Sequence, residues 1–211
     1  MGHDTPKQFL PLFGQPLLYH TLRVFLQAYD DIRIRLVLPM QHFSYGEQLA
    51  ASLHMPDMEL VAGGETRFHS VQNGLCGIDE PSVIFVHDGV RPLLSTRLIQ
   101  RCYEQALQNG SAVPAIPLKD SIREVKGDSN RSADRSSYRI IQTPQTFRSE
   151  ILLPAFAQAF DPQFTDEATV VERSGHPVYL IEGEEENIKI TRPLDMLIAE
   201  KILEERMRNG K

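Results

Sequence analysis

Short apolar runs alternate with helix-period segments through the first half of this chain, and that alternation constrains the fold more than any other feature. Residues 33–39 read as a strand and 42–53 as a helix. Residues 58–62 form the next strand, and from about Thr66 a helix follows with Val71, Leu75 and Ile78 on one face. Strand 83–87, helix 95–109 with its Asn109-Gly110 stop, and strand 111–117 continue the rhythm. Ahead of them Leu17, Leu18, Leu22, Phe25 and Leu26 recur at helical spacing over 16–29. Strands separated regularly by helices predict an α/β protein built on a doubly wound, mostly parallel sheet.

After residue 117 the rhythm breaks. Segments 119–127 and 138–142 are β-rich and flank the polar stretch 128–137, which predicts a hairpin arm over about 119–141 leaving the sheet. A lone two-stranded hairpin is marginal in water, so docking on a second copy of the chain is its expected support. A helix over 148–160, a helix capped by Thr165, a strand over 178–182 and a last helix opened by Arg192-Pro193 complete the chain. No repeat or linker divides the 211 residues, which read as one domain with an arm.

The stretch Val83-Ile84-Phe85-Val86-His87-Asp88-Gly89-Val90-Arg91-Pro92 is the first candidate for chemistry. It is a buried-strand signal ending in a carboxylate, at the end of the strand where open α/β sheets bind ligands and metal ions. On this stretch alone the structural reading, in which Asp88 caps the turn and pairs with Arg91, stands beside the functional one. Gly63-Gly64 lies between a strand and a helix, where free backbone N–H groups would suit an anion or a base edge, and Ser70 could add a hydroxyl. Lys7, Lys189, Arg91 and Arg135 are the basic candidates, with Lys189 placed mid-strand in the alternating run 187–191. Lysines on phosphate oxygens and a carboxylate for Mg²⁺ are what a nucleotide or sugar phosphate needs.

Composition excludes several other classes. A net charge of −6 argues against nucleic-acid binding by a basic face. The seven histidines have no metal-ligand spacing, and no Gly-x-Ser-x-Gly elbow is present. Cys76 and Cys102 read as reduced and buried. With no apolar run of about 18 residues and no signal-peptide pattern, the expected location is the cytoplasm, away from any membrane.

Seven motifs stand in one order: Pro6-Lys7-Gln8-Phe9; Gly63-Gly64 with Ser70-Val71; His87 to Pro92; Lys119-Asp120-Ser121; Gln142-Thr143-Pro144-Gln145; Thr165-Asp166-Glu167-Ala168; and Asn187 to Pro193. Together, over nearly the whole chain, they resemble the 2-C-methyl-D-erythritol 4-phosphate cytidylyltransferases of the non-mevalonate isoprenoid route. The resemblance implies a Rossmann-like nucleotidyltransferase fold and a homodimer with exchanged arms. It also implies the reaction of CTP with methylerythritol phosphate to give CDP-methylerythritol and pyrophosphate. It assigns Lys7 to the CTP phosphates and Lys189 to the charge developing on the α-phosphate. Gly64, Glu65 and Ser70 would face the cytosine, and Asp88 would serve Mg²⁺ and substrate orientation. Ser121 and Arg135 would reach the neighbouring subunit's sugar phosphate, with Arg91 and Thr165 completing that pocket. Ribitol-5-phosphate cytidylyltransferases share many of these motifs, and a nucleotide-binding protein without turnover is the reading from another class. Relatives begin with a hydrophobic strand and a glycine-rich loop, of which Met1-Gly2 looks like the end. The resemblance therefore implies an incomplete start, and weak or no activity for the chain as written.

Overall fold

A computed structural model describes residues 6–209; Met1 and Gly2, compared above with the end of a glycine-rich loop, lie outside the described residues. After a 3₁₀ turn at Lys7–Phe9, a minimal hairpin pairs β1 (Pro11–Leu12) with β2 (Gln15–Pro16). Its turn is Phe13-Gly14, both at positive φ. Then follow α1 (Leu17–Ala28), β3 (Arg35–Leu38), α2 (Phe43–Ser52), β4 (Glu59–Ala62), α3 (Arg67–Leu75), β5 (Val83–Val86), α4 (Thr96–Asn109) and β6 (Ser111–Pro117). The arm contains β7 (Ile122–Lys126) and β8 (Ser129–Ala133). The chain returns through β9 (Arg139–Ile141) and β10 (Gln145–Arg148), and ends with α5 (Ser149–Ala155), α6 (Glu167–Arg173), β11 (Leu180–Glu182) and α7 (Pro193–Arg208).

The α/β architecture is the expected one, and its sheet is mixed. β3 pairs β4 in parallel and β6 pairs β11 in parallel, while β10 runs antiparallel between β5 and β6 and β9 pairs antiparallel with the end of β6. β5 shows strand alternation cleanly. Val83 and Phe85 pack with Phe25 of α1 and with Leu98, Ile99 and Cys102 of α4. Ile84 and Val86 pack on the opposite face with Phe68 and Leu75 of α3, Phe147 of β10 and the α5–α6 residues Leu152 and Val170. α1 also reaches the other sheet, where Leu18 and Leu22 meet Leu36 and Leu38 of β3. Among the described residues no ladder joins β3 to β5, so β5 is bonded along one edge only, and all four of its residues stay partly exposed.

Several local expectations are corrected. The arm's hairpin is β7 with β8, turning at Gly127 (φ 57°), so residues 138–142 are not its second strand. Segment 129–133 lacks the apolar alternation of a strand because neither face of it is buried. Its pairing is carried by backbone ladders and by polar partners such as Arg131 with Glu124. Arg139–Ile141 instead adds to the main sheet against β6. The helix expected over 148–160 stops at Ala155, just after Pro154, which has no N–H to offer. Helix α6 is capped by Asp166 rather than Thr165. The Asp166 carboxylate accepts the Thr169 N–H while the Thr169 hydroxyl accepts the Asp166 N–H, a full capping box one residue further on. Residues 187–191 form no ladder, so Lys189 is not on a strand. Cys102 is buried as expected but Cys76 is exposed.

Candidate active site

Asp88 sits where β5 ends, and the antiparallel register with β10, Gln145 opposite Val86, continues to bring Thr143 opposite Asp88. The Thr143 hydroxyl accepts the Asp88 N–H (3.1 Å) and in turn faces Nδ1 of His87 (3.0 Å), while Nε2 of His87 faces the Arg91 carbonyl (3.2 Å). For the neutral ring one proton arrangement satisfies all three contacts. Nε2 carries the ring proton and donates it to the carbonyl, and Nδ1 accepts from the threonine. Burial pushes the His87 ring down to about 4, so it stays neutral behind Asp88. A second support comes from α1, whose Thr21 hydroxyl donates to the Gly89 carbonyl at 3.0 Å.

The Asp88 carboxylate is crowded by cations through one oxygen. Oδ2 lies 3.1 Å from Nε of Arg91 and 3.2 Å from Nζ of Lys189. Burial works to raise its pKa, but Lys189 and Arg91 outweigh it and hold the carboxyl below its ordinary range. The turn and ion pair of the purely structural reading are both present, since the Arg91 N–H also donates to the Asp88 carbonyl. Lys189 is the addition that reading lacks. Asn187, fully buried, places it: Nδ2 donates to the Thr143 carbonyl, and the Asn187 carbonyl accepts from Nη1 of Arg91 and Nε2 of Gln142. Two residues beyond Lys189, the Thr191 carbonyl accepts from Nζ of Lys7 at 3.0 Å. Phe9, buried and stacked on Tyr45 with ring centroids 4.5 Å apart, anchors the turn that carries Lys7. The structure thus brings Asp88, Arg91 and Lys189 together, with Lys7 bonded two residues beyond Lys189.

The Gly63-Gly64 turn lies at the carboxyl end of β4. Its N–H groups are not free as expected: Gly63 donates to the Leu38 carbonyl and Gly64 to the Ser70 hydroxyl at 3.0 Å. The Ser70 hydroxyl donates onward to the Thr66 carbonyl. Gly64 must be glycine, because a Cβ there would fall 2.4 Å from the Cβ of His69. Glu65 is exposed at the tip. Thr165 is exposed beside α6, its N–H donating to the Thr169 hydroxyl. Ser121 and Arg135 are exposed at the base of the arm, Arg135 donating to the Lys119 carbonyl. No hydrogen bond or ion pair joins either of them to Asp88 among the described residues.

Sequence reasoning assigned no role to His87, Thr143, Asn187, Gln145 or the ion pair between Arg67 and Glu167. Their signal lay inside the ordered motifs, but their work is done by single hydrogen bonds, which spacing does not reveal.

Comparison with known proteins identifies the family. The family model for 2-C-methyl-D-erythritol 4-phosphate cytidylyltransferase matches residues 1–205. The enzyme of that name from Bacteroides thetaiotaomicron is 45% identical over 204 residues, covering 96% of this chain and 93% of that one. Its namesake from Porphyromonas gingivalis is 45% identical over 205 residues, covering 96% and 91%. Among solved structures, a 4-diphosphocytidyl-2C-methyl-D-erythritol synthase superposes with a TM-score of 0.82 at 28% identity, covering 93% of this chain and 94% of that one. The Thermus thermophilus cytidylyltransferase superposes at 0.75 with 32% identity, covering 94% of each. With a family model spanning nearly the whole sequence and relatives at this level of identity, this chain belongs to the 2-C-methyl-D-erythritol 4-phosphate cytidylyltransferase family.

Proposed function

We propose that this chain transfers CMP from CTP to 2-C-methyl-D-erythritol 4-phosphate, releasing pyrophosphate. The observation that carries the reading is the pairing of Lys189 and Arg91 with one carboxylate at the carboxyl end of β5, with Lys7 bonded to the Thr191 carbonyl two residues beyond Lys189. An oxygen of the sugar phosphate attacks the α-phosphorus of CTP, a new P–O bond forms, and the bond to the β-phosphate breaks with its electron pair leaving on pyrophosphate. No covalent intermediate is needed, so positioning and charge carry the rate. Lys7 holds the CTP phosphates, Lys189 meets the charge developing on the α-phosphate, and Gly64, Glu65 and Ser70 face the base. Arg91 and Thr165 take the sugar phosphate.

Mg²⁺ would neutralise phosphate charge and orient the triphosphate. Among the described residues no three His, Cys, Asp or Glu side chains converge to hold a metal alone. Asp88, however, spends Oδ2 on both cations, which leaves Oδ1 for an ion held mainly by substrate phosphates. The arm supports a homodimer: Val125 is exposed along its hairpin, and Ser121 and Arg135, exposed at its base, would reach the partner's substrate. A cytoplasmic location fits this chemistry, and among the described residues no helix is long and apolar enough to cross a membrane.

The test is pyrophosphate release from CTP and Mg²⁺, with methylerythritol phosphate and ribitol 5-phosphate offered in parallel. It is run on this chain and on a version with an upstream strand and glycine-rich loop. Turnover with methylerythritol phosphate is expected, strongest in the longer version. Turnover with ribitol phosphate alone would move the protein to the other substrate, and silence from a well-folded longer version would overturn the reading.

A further inference from the structure

Arg67 and Glu167 are the first residues of α3 and α6, a hundred positions apart in the chain, and they form a two-pronged ion pair. Nη1 donates to Oε1 at 2.5 Å and Nη2 to Oε2 at 2.8 Å. Glu167 is fully buried, whereas 40% of the Arg67 side chain remains exposed. Burial pushes the Glu167 carboxyl up, and the facing guanidinium pulls it back. Both helices are capped independently of the pair, by Thr66 and by the Asp166–Thr169 box, so neither helix needs it in order to form. Nor is an ion pair the expected device for filling such a space, because apolar side chains of similar volume do so at least as stably.

What the pair does link is two edges of the site. Residues Gly63, Gly64 and Glu65 immediately precede α3 and its cap, and Thr165 immediately precedes the cap of α6. Gln145, buried on β10, completes the frame: Nε2 donates to Oδ2 of Asp166 at 2.9 Å and Oε1 accepts the Ala168 N–H at 2.8 Å. Two residues before Gln145 stands Thr143, which holds Asp88. A continuous set of contacts thus runs from Asp88 through Thr143 and Gln145 to the head of α6, and across the ion pair to the head of α3. After Glu167, Asp88 and Asp166 are the acidic groups whose charge the guanidinium feels.

We propose that the Arg67–Glu167 pair is a positioning device that sets the spacing between the nucleotide-side turn and Thr165, and so the alignment of the two substrates; it rests on the reaction read above. The fork matters as well as the charge. A lysine at 67 would keep the carboxylate compensated but, as a point charge, could not fix it in two directions.

The variants are Arg67→Lys and the apolar double variant Arg67→Met/Glu167→Leu, each measured for kcat, for both KM values and for amide hydrogen exchange without ligand. In both variants kcat is expected to fall about tenfold or more, the scale set by small misplacements of reacting groups, while each KM changes less than about threefold. Exchange is expected to quicken in 63–70 and 163–169 together, with the slowest core amides unchanged. The proposal is overturned if kcat stays within about threefold of the parent in folded variants, or if exchange quickens throughout the molecule, which marks a merely structural link. The kinetics are read on whichever parent turns over, this chain or the version with the upstream strand and loop, and if neither does, the reaction assignment is what falls. The exchange pattern then decides alone whether the pair positions the two edges.

Discussion

Acidification strikes this site first through His87. Its ring is held at about 4 in the folded protein, against 6.5 for a free histidine. Between those values the unfolded chain binds a proton that the folded protein refuses, so stability is fully present above 6.5 and is lost as the pH falls toward 4. The whole span is worth about 3 kcal/mol, and the part lost between about pH 7 and about pH 4.5 is about 2 kcal/mol. The structural reason for the refusal is specific. Burial strips the ring of the water a charged imidazolium needs, the edge of Phe25 closing one side with ring centroids 5.1 Å apart, and its two hydrogen-bond partners do not offset that loss. Glutamine at this position can accept from Thr143 and donate to the Arg91 carbonyl without titrating. Urea denaturation of the parent and of His87→Gln, each near pH 7 and near pH 4.5, isolates the effect. His20, also held low by burial although the Leu12 carbonyl opposes it, contributes with the same sign but equally in both proteins. The parent should lose about 2 kcal/mol more than the variant over this interval. Parallel losses within about 0.5 kcal/mol would refute the neutral, doubly bonded imidazole.

Three further outcomes follow from the same geometry. Lys189→Ala and Lys7→Ala should each lower kcat by about 10²–10³-fold with little change in thermal midpoint, since both side chains are exposed, and steady-state kinetics beside calorimetry checks this. Gly64→Ala would drive a Cβ to 2.4 Å from that of His69, so the turn must open. We expect a loss of about 1–3 kcal/mol and a clear weakening of CTP binding in isothermal titration. Val125→Asp, at an exposed apolar position of the arm, should shift sedimentation toward the monomer if the arms dock two copies; an unchanged sedimentation coefficient would count against arm-mediated assembly.

Elements announced by an apolar run or a helical period were legible from sequence, whereas β10 was missed although three of its four residues are buried, because Gln145-Thr146-Phe147-Arg148 carries no apolar run. Helix α4 announced itself by its length and by the Asn109-Gly110 stop, where Gly110 takes a φ of 89°, while the structure adds Ser95 as its N-cap. β5 and β6 showed as apolar runs of strand length. The second strand of the arm did not, because Ser129, Asn130, Arg131 and Ser132 are all exposed and carry no alternation. The polar–apolar alternation of residues 187–191 did not become an alternation of burial, since the buried residues, Asn187 and Ile190, lie three positions apart. Two separate anchors hold them, the Thr143 carbonyl for Asn187 and the Val90 carbonyl for Ile190, in place of a ladder. At the site, the cations and the carboxylate were legible as residue types. What orders them is a set of backbone carbonyls and neutral hydrogen bonds, and no residue type reports those.

Burial also divides labour among the cations around Asp88. The Arg91 side chain is 11% exposed and Asp88 15%, and Arg91 is held besides by the Asn187 carbonyl, so this pair is a fixed part of the frame. The Lys189 side chain is 47% exposed, and an exposed pair of that kind is worth about 0–1 kcal/mol, small enough for a phosphate to displace. Lys7 is likewise exposed, and among the described residues its Nζ bonds only the Thr191 carbonyl. Asp88 thus keeps Lys189 near the place of reaction without holding it, while Arg91 holds Asp88. Asp88→Asn tests this division. It leaves Arg91 without its counter-charge and should cost about 2 kcal/mol near pH 7, read by urea denaturation. Because the Asp88 carboxyl lies below its ordinary 3.8, that difference is full at neutral pH and shrinks only below 3.8, as the parent's carboxylate is itself protonated. The additional substitution Lys189→Met should change the loss little. A double variant far more stable than Asp88→Asn alone would mean that Lys189, and not Arg91, is the cation that the carboxylate is there to hold.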